Sequence, residues 1–85
     1  MAAFATGIIG TVAPGGVITW NWHAQGYADI GVLVLMAHPY NPGGRLDVIM
    51  QRKENVPGFG FRYGLTFKNT GTQSTNWALE GGGVV

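Results

Sequence analysis

The sequence predicts an all-β protein, a small antiparallel β-sandwich of six to seven strands, with a small closed β-barrel as the alternative. Apolar residues recur at every second position over short segments, which is the spacing of strands with one buried face. Fifteen glycines and four prolines punctuate the 85-residue chain between these segments. Short strands separated by such turns, without an amphipathic helical segment, are typical of two packed antiparallel sheets.

Three predicted strands occupy the first half of the chain. The first covers residues 4–12 and is followed by a turn at Pro14, where a Pro-Gly-Gly run occurs. The second covers residues 17–23 and alternates large apolar with polar side chains. After a loop over residues 24–29, the third covers residues 30–38 and is apolar on both faces. We therefore expect this third strand to be central and covered on both sides.

The fourth predicted strand covers residues 45–52 and begins after a turn that contains two prolines. Leu46, Val48 and Met50 point to one side of this strand, because they occupy alternate positions. The following segment, residues 53–58, is predicted to be a loop.

The fifth predicted strand, residues 59–67, has the clearest pattern in the chain. Large apolar side chains occupy every second position, so a slip of one residue would expose all of them, and the register is well specified. A polar turn follows over residues 69–75. The last short strand carries Trp77 and Leu79.

The predicted organisation is a single domain over residues 1–80 and a Gly-rich flexible tail over residues 81–85. The apolar start of the chain lacks a positively charged segment, so we expect no signal peptide. The longest apolar run, residues 30–37, is far shorter than the roughly 20 residues of a membrane helix. We therefore expect no membrane span. We expect synthesis in the cytoplasm, with release without a leader sequence as an alternative.

The last third of the chain carries a family resemblance. Residues 63–71, Tyr-Gly-Leu-Thr-Phe-Lys-Asn-Thr-Gly, are followed by Asn-Trp-Ala-Leu at residues 76–79. These segments resemble the closing strands of small bacterial immunoglobulin-like modules of the CARDB and fibronectin type III kind. In those families a strand ends in an Asn-Thr-Gly turn and the final strand follows. The resemblance implies an immunoglobulin-like sandwich and a binding or adhesive role.

Composition excludes several classes of function. Five Lys and Arg against four Asp and Glu give a formal net charge of +1. So small an excess does not make a nucleic-acid surface, and we expect no nucleic-acid partner. Many of these charges lie in residues 45–54, where mixed signs favour a solvated, edge-protecting face. The absence of cysteine removes disulfides, thiolate metal sites and cysteine nucleophiles.

No motif for catalysis or for a cofactor stands out. Ser74 is the only serine, and a triad with His23 or His38 and an aspartate has no local motif to support it. Two histidines alone are too few for a zinc site. Residues 58–64 superficially resemble a Gly-rich phosphate loop, but the strand alternation continues through them and no helix follows. We expect no enzymatic activity and no cofactor.

Aromatic residues provide the candidate binding site. Trp20 and Trp22 lie two positions apart on one face of the second predicted strand, in a row with Ile18. Either both indoles belong to the core, or they form a flat aromatic platform that suits the apolar face of a sugar ring or a protein partner. Residues with hydrogen-bonding side chains surround them. The candidate ligand-binding residues are Trp20, Asn21, Trp22, His23, Tyr27, Tyr40 and Asn41.

Two functional hypotheses follow. The first is a non-catalytic, homo-oligomeric binding module, lectin-like in the broad sense, which recognises carbohydrate through aromatic and amide side chains. The second is a structural self-assembly subunit with no small-molecule ligand. In the second hypothesis the apolar strands, or Val84 and Val85, mediate self-association.

Overall fold

The computed structural model describes residues 3–83 and contains seven β-strands and one short 3₁₀ turn. They are β1 (Phe4–Ala5), β2 (Gly10–Val12), β3 (Val17–Trp22), the 3₁₀ turn (Gln25–Tyr27), β4 (Leu33–Pro39), β5 (Leu46–Val56), β6 (Gly60–Asn69) and β7 (Thr75–Gly83). Within residues 3–83 no helix is long and apolar enough to cross a membrane. Val84 and Val85, to which the sequence assigns part of the tail and a role in self-association, lie outside the described residues.

The strands form two antiparallel sheets that pack face to face. In the first, which we call the β7 sheet, β7 is central, with β4 on one side and β1 and β2 in succession on the other. In the second, the β6 sheet, β6 lies between β3 and β5. Neither sheet closes on itself in the described part of the chain. The predicted all-β sandwich is therefore confirmed, and the alternative of a closed barrel is not formed.

The core lies between the inner faces of the two sheets. Tyr63, Leu65 and Phe67 of β6 point inwards and are almost completely buried. They meet Trp77 and Leu79 of β7. The rings of Phe67 and Trp77 form an edge-to-face pair with centroids 4.8 Å apart. Burial of each of these side chains stabilises the fold by about 1.5–3 kcal/mol. The large side chains at alternate positions of β6 therefore form much of the core.

The side chain of Asn69 connects several segments by hydrogen bonds at one end of the sandwich, which we call the Asn69 end. Its fully buried amide donates to the carbonyls of Val12 and Gln73, at 3.1 and 2.9 Å. Its Oδ1 accepts from the backbone N–H of Gly71 at 2.9 Å and from that of Arg45 at 3.4 Å. One side chain therefore connects β2, the turn between β6 and β7, and the start of β5.

The predicted first strand over residues 4–12 is divided into β1 and β2. Both pair with β7, but the residues between them leave the regular ladder. The hydroxyl of Thr6 accepts a hydrogen bond from the backbone N–H of Leu79 at 3.0 Å. A side-chain acceptor thus replaces a backbone acceptor, which interrupts the strand without detaching the chain from β7.

β4 is an edge strand, so the prediction of a central third strand covered on both faces is wrong. Among the described residues β4 pairs with β7 alone. Leu35 and Ala37 point inwards and are buried, whereas Val34 and Met36 on the other face are exposed. An apolar run shows which side chains avoid water, but the neighbours that would cover them come from other parts of the chain.

β5 continues to Val56, so most of the predicted loop over residues 53–58 is strand. The register of β5 against β6 shifts between Val48 and Met50, which makes Ile49 the extra residue of a β-bulge. The bulge reverses the alternation. Met50 is exposed as a result, and the prediction that it shares a face with Val48 is wrong.

After the bulge, Gln51 and Lys53 occupy the inward positions of β5. They pair with Leu65 and Tyr63, which point into the core. The Oε1 atom of Gln51 accepts a hydrogen bond from the backbone N–H of Leu35 at 2.9 Å. Because Leu35 lies on the edge strand β4, the bulge allows a side chain of one sheet to satisfy an edge donor of the other.

Residues 81–83 belong to β7, so the prediction of a flexible tail is wrong for these three glycines. Gly81 lies between Phe4 of β1 and Leu35 of β4 and pairs with both. The ring of Phe4 occupies the space into which a Cβ at Gly81 would project. Glycine is needed at this position to admit the ring, and the backbone is held by strands on both sides.

Candidate functional site

Trp20 and Trp22 point into the sandwich and do not form a flat surface platform. Their partners across β6 are inward-facing residues. Trp22 stacks on Phe4, with ring centroids 4.6 Å apart and planes inclined by 21°. Trp20 contacts Trp77 edge to face at 5.5 Å and remains 39% exposed. The two indoles close the side of the core between β3 and the strands β1 and β2, as in the core alternative.

Asn21 lies on the opposite, outer face of β3. Its Oδ1 accepts a hydrogen bond from Nη2 of Arg52 on β5. The two side chains meet over Gly64, the residue of β6 that pairs with both. Asn21 is therefore engaged in a cross-strand contact on the outer face of the β6 sheet.

His23 and Tyr27 form a stacked pair at the end of the sandwich opposite Asn69, which we call the loop end. Their ring centroids are 3.8 Å apart and their planes differ by 8°. Tyr27 also contacts Phe59, at 5.4 Å between centroids. Phe59, predicted to begin the inward row of the fifth strand, lies in the turn before β6 and is 67% exposed. An aromatic cluster of three residues therefore marks the loop end.

Tyr40 and Asn41 lie at the Asn69 end, away from the other candidate residues. Asn41 Oδ1 accepts a hydrogen bond from the backbone N–H of Asn76 at 2.7 Å. Along β6, Tyr63 beside the loop end and Asn69 are six residues apart, which corresponds to about 20 Å. The structure thus divides the seven candidate residues among a core edge, an outer face and two opposite ends.

The residues of the formal catalytic triad do not converge. Ser74 lies in the turn before β7 at the Asn69 end, and His23 follows β3 at the loop end. His38 pairs with Glu80 instead, with Nδ1 3.3 Å from Oε1. Among residues 3–83 no three His, Asp or Glu side chains are grouped in a way that could hold a metal ion.

A cleft opens near the loop end, between the start of β4 and the second half of β5. Its volume is about 290 Å³, at the lower limit of small-ligand pockets. The lining residues are Gly31, Val32, Leu33, Gln51, Arg52, Lys53 and Tyr63.

Lys53 lines this cleft, and Asp29 forms an ion pair with it beside the cleft. Lys53 Nζ donates to Asp29 Oδ1 at 2.6 Å and to the carbonyl of Gly31 at 3.3 Å. The same ammonium lies over the rings of Phe61 and Tyr63, at 5.0 and 5.6 Å from their centroids. The bulge in β5 is responsible, because it turns Lys53 towards the inner face.

Tyr63 forms the floor of the cleft. Its hydroxyl donates to the carbonyl of Gly31 at 2.8 Å and accepts from the backbone N–H of Ile30 at 3.2 Å. The segment that carries Asp29 is thereby fixed against β6. The cleft therefore has a rigid floor, since the ring of Tyr63 belongs to the core.

Both charged groups of the pair are held in their ionised forms. The hydrogen bond from Lys53, followed by that from the backbone N–H of Gly31, lowers the pKa of Asp29. The hydrogen bond to Asp29 raises the pKa of Lys53, and the ion-pair attraction adds to it. At neutral pH the pair thus presents one cation and one anion to the cleft, with a net charge of zero.

Asp29 and Lys53 are not among the candidate residues that the sequence indicates. They lie 24 positions apart, and the sequence places Lys53 only within a mixed-charge segment. No local motif connects them. The contact could have been predicted only if the bulge in β5 had been predicted, because the bulge turns Lys53 inwards and towards Asp29.

Comparison of the chain with known protein families, with curated proteins and with solved structures gives no significant match.

Proposed function

We propose that this protein is a non-catalytic, lectin-like binding module that takes a neutral, polyhydroxylated ligand of the carbohydrate class in the cleft beside Asp29 and Lys53. The observation that carries this proposal is the neutralised ion pair in a cleft with an aromatic floor. The proposed ligand site lies away from Trp20 and Trp22, which point into the sandwich and contact Trp77 and Phe4 there.

The cleft offers hydrogen-bonding groups of both kinds. Among residues 3–83, Asp29 Oδ2 has no partner and is free to accept, while Oδ1 is engaged by Lys53 and by the N–H of Gly31. Gln51 uses its Oε1 on Leu35, which leaves its amide Nε2 to donate. Hydroxyl groups match this arrangement because each can both donate and accept.

The Asp29–Lys53 pair has no net charge, and Arg52, which also lines the cleft, directs its guanidinium to Asn21 on the outer face of the β6 sheet. We therefore expect the groups around the pair to favour a neutral ligand. An anionic ligand would compete with Asp29 for the ammonium of Lys53, and a cationic one would compete with Lys53 for the carboxylate. Either ligand would have to replace the hydrogen bond between Lys53 Nζ and Asp29 Oδ1. A polyol adds hydrogen bonds without displacing the pair, and Val32 and Leu33 provide apolar contact at the wall.

A glycan array followed by titration calorimetry tests this function. We expect binding of a subset of neutral glycans, and an at least tenfold weaker association for Asp29→Asn, which removes the anionic acceptor. Asp47→Asn is the matched control, because Asp47 is also an exposed, ion-paired aspartate, 3.2 Å from Arg45 at the Asn69 end. A blank array at high protein concentration, or equal losses in the two variants, would refute the proposal.

Self-assembly without a small-molecule ligand is the second candidate function. It is favoured by the exposed apolar side chains of Val34 and Met36 on β4, since a monomer gains nothing from exposing neighbouring large apolar groups. Light scattering over a dilution series separates the two functions. A change of association state with protein concentration supports assembly, whereas a tryptophan fluorescence response to sugar alone supports the binding module.

A further inference from the structure

β3 is an edge strand of the β6 sheet and has a row of outward backbone groups. At its start, the backbone N–H of Asn69 in β6 donates to the carbonyl of Gly16 at 3.0 Å. The same register continues along the strand and places Ile18 opposite Phe67. In an antiparallel ladder every second residue bonds to a given neighbour, so Ile18 and the residues two and four positions after it bond to β6. The residues whose backbone groups point away from β6 are Val17, Thr19 and Asn21.

These outward groups have no partner in the described part of the chain. Within residues 3–83 no hydrogen bond engages them. The side of the sandwich beside them is not filled, since Trp20, which points inwards from β3, remains 39% exposed. An edge with free N–H and carbonyl groups is a template for pairing with another strand.

The other edges of the two sheets are protected. On β4 the backbone N–H of Leu35 donates to Gln51. β5 has the bulge at Ile49 and carries mixed charges over residues 45–54. β1 and β2 have only two and three residues. Bulges, charges and short strands are the usual means of blocking an edge, and the six residues of β3 include no charge, no proline and no register shift.

We propose that β3 pairs antiparallel with β3 of a second copy of the chain, so that the β6 sheets of the two copies join into one continuous sheet. The proposal rests on self-assembly, the second candidate function, and identifies its interface. It assigns the contact to a strand edge and not to the exposed side chains of β4.

The outward groups specify the register of this pairing, because outward residues must lie opposite outward residues. With Thr19 opposite Thr19 of the second copy, Val17 lies opposite Asn21, and every outward residue of β3 has a partner. Each such pair exchanges two hydrogen bonds, which gives roughly six in all. A register centred on Trp20 would instead place Val17 opposite His23, beyond the end of β3. A two-fold axis perpendicular to the sheet at Thr19 generates the favoured arrangement.

The side chains of β3 suit this register. On the inner face, Trp20 of each copy lies opposite Ile18 of the other, and an aromatic side chain beside a β-branched one is a favourable cross-strand pair. No side chain of β3 is charged. Nearby cations are Lys68 on β6 and Arg52, which bonds to Asn21. Both project from the outer face, which an edge-to-edge contact leaves in water.

Hydrogen exchange at two protein concentrations tests the pairing directly, with light scattering over a dilution series to locate the transition between monomer and dimer. Pairing at one edge covers less than the roughly 800 Å² per partner of stable interfaces, so we expect the dimer to dissociate on dilution. The Thr19 amide should exchange roughly tenfold or more slowly in the dimer, because its N–H gains an acceptor. The Trp20 amide is the internal control, since it bonds to β6 in both states and should change much less.

Two substitutions at Thr19 interfere with the pairing. Thr19→Pro removes the central N–H of both copies, and this N–H has no acceptor within the described residues, so each copy keeps its own hydrogen bonds. The dissociation constant should rise roughly tenfold or more, since two hydrogen bonds are lost. Thr19→Lys places two like charges opposite each other and should raise it about threefold or more. This second variant tests the interface even if the proline variant does not fold.

Thr66→Lys is the matched control. The hydroxyls of Thr19 and Thr66 share a hydrogen bond at 2.9 Å, so the two lysine substitutions remove the same bond and add the same charge to the same face. Thr66 lies on β6, one strand further from the second copy, and its lysine should leave the dimer unchanged. Circular dichroism verifies the fold of each variant.

The outcomes separate the interface from the function. A natural sequence that is monomeric at every concentration overturns both self-assembly and the interface. A dimer without added protection of the Thr19 amide, or one that Thr66→Lys weakens as much as Thr19→Lys, overturns the interface and leaves self-assembly standing. A dimer that protects Thr19, and that the Thr19 variants weaken more than the control does, supports the interface.

Discussion

Gly81 is the residue at which the two ends of the described chain meet. The ring of Phe4 from β1 lies against it, and the indole of Trp22 stacks on that ring. The three residues are far apart in the sequence but form one layered contact at the side of the core. A glycine that the sequence places in a flexible tail is therefore a packing position.

Replacing Gly81 with alanine tests this packing. We expect Gly81→Ala to lower the free energy of unfolding by about 1–3 kcal/mol, because its methyl group would displace the Phe4 ring. Gly82→Ala is the control, since its methyl group would lie 4.0 Å from the Cβ of Ala3, an ordinary contact. The control should change stability by less than about 1 kcal/mol. Urea unfolding at one fixed protein concentration measures both, and equal stabilities would contradict the role of Gly81.

The two tryptophans of β3 show that alternation along a strand does not specify which face of the strand is buried. Alternation places Trp20 and Trp22 on one face of their strand, but either face of an edge strand is compatible with that pattern. Phe4 and Trp77 decide the matter, because they fill the space on the inner side. Phe4 and Trp77 belong to strands of the opposite sheet. The residues close to Trp20 in the sequence therefore do not show which face of β3 is buried.

At the scale of elements, the bulge in β5 is the feature with the most consequences. It inserts Ile49 opposite no partner and turns Gln51 and Lys53 towards the other sheet. Gln51 then satisfies an edge donor of β4, and Lys53 reaches Asp29. One extra residue in a strand thus creates the candidate cleft and protects the neighbouring edge.

The hydrogen bond that Gln51 Oε1 accepts from the backbone N–H of Leu35 in β4 contributes to the stability of the fold. We expect Gln51→Ala to lower the free energy of unfolding by about 1 kcal/mol, since the backbone N–H of Leu35 would lose its acceptor. Hydrogen exchange of the Leu35 amide should accelerate more than that of its neighbours in β4. Gln25→Ala, in the exposed 3₁₀ turn, is the control and should alter neither quantity. Unchanged protection of Leu35 in Gln51→Ala would show that the bond is unimportant.

At the scale of the whole molecule, the low content of charge makes the pH dependence simple. The pKa of Asp29 is lowered by Lys53, and that of Asp47 is lowered chiefly by the hydroxyl of Thr70. Each carboxylate thus stabilises the fold fully above its ordinary pKa of 3.8, and this contribution is lost as the pH falls through the lowered value. Lys53 has the opposite sign, with a contribution lost only as the pH rises through a pKa raised above 10.5.

Acid unfolding tests this assignment. We expect the stability of the natural sequence to fall below about pH 4, and the fall to be shallower in Asp29→Asn, which has no carboxylate to protonate at that position. High salt should reduce the difference between the two proteins, because the pair is exposed and therefore screened. Urea unfolding from pH 2.5 to 7 measures both slopes. Identical slopes would mean that Asp29 does not contribute to acid sensitivity.

The sequence by itself determined the fold class and most of the core. Alternation in β6 identifies Tyr63, Leu65 and Phe67 as inward residues, and the turns between strands predict two antiparallel sheets. These features are local, since period-two burial and turn geometry depend on residues that are neighbours in the chain. An all-β sandwich could therefore be predicted without knowledge of any long-range contact.

Only the tertiary structure decided which faces are covered and where a site lies. The edge position of β4, the strand pairing of Gly81, the inward orientation of Trp22 and the contact between Asp29 and Lys53 all depend on pairs distant in the sequence. The bulge at Ile49 is equally non-local, because an extra residue is defined only against a partner strand. Alternation specifies two faces for each strand, but the choice of face and neighbour is made by the packing of the whole chain.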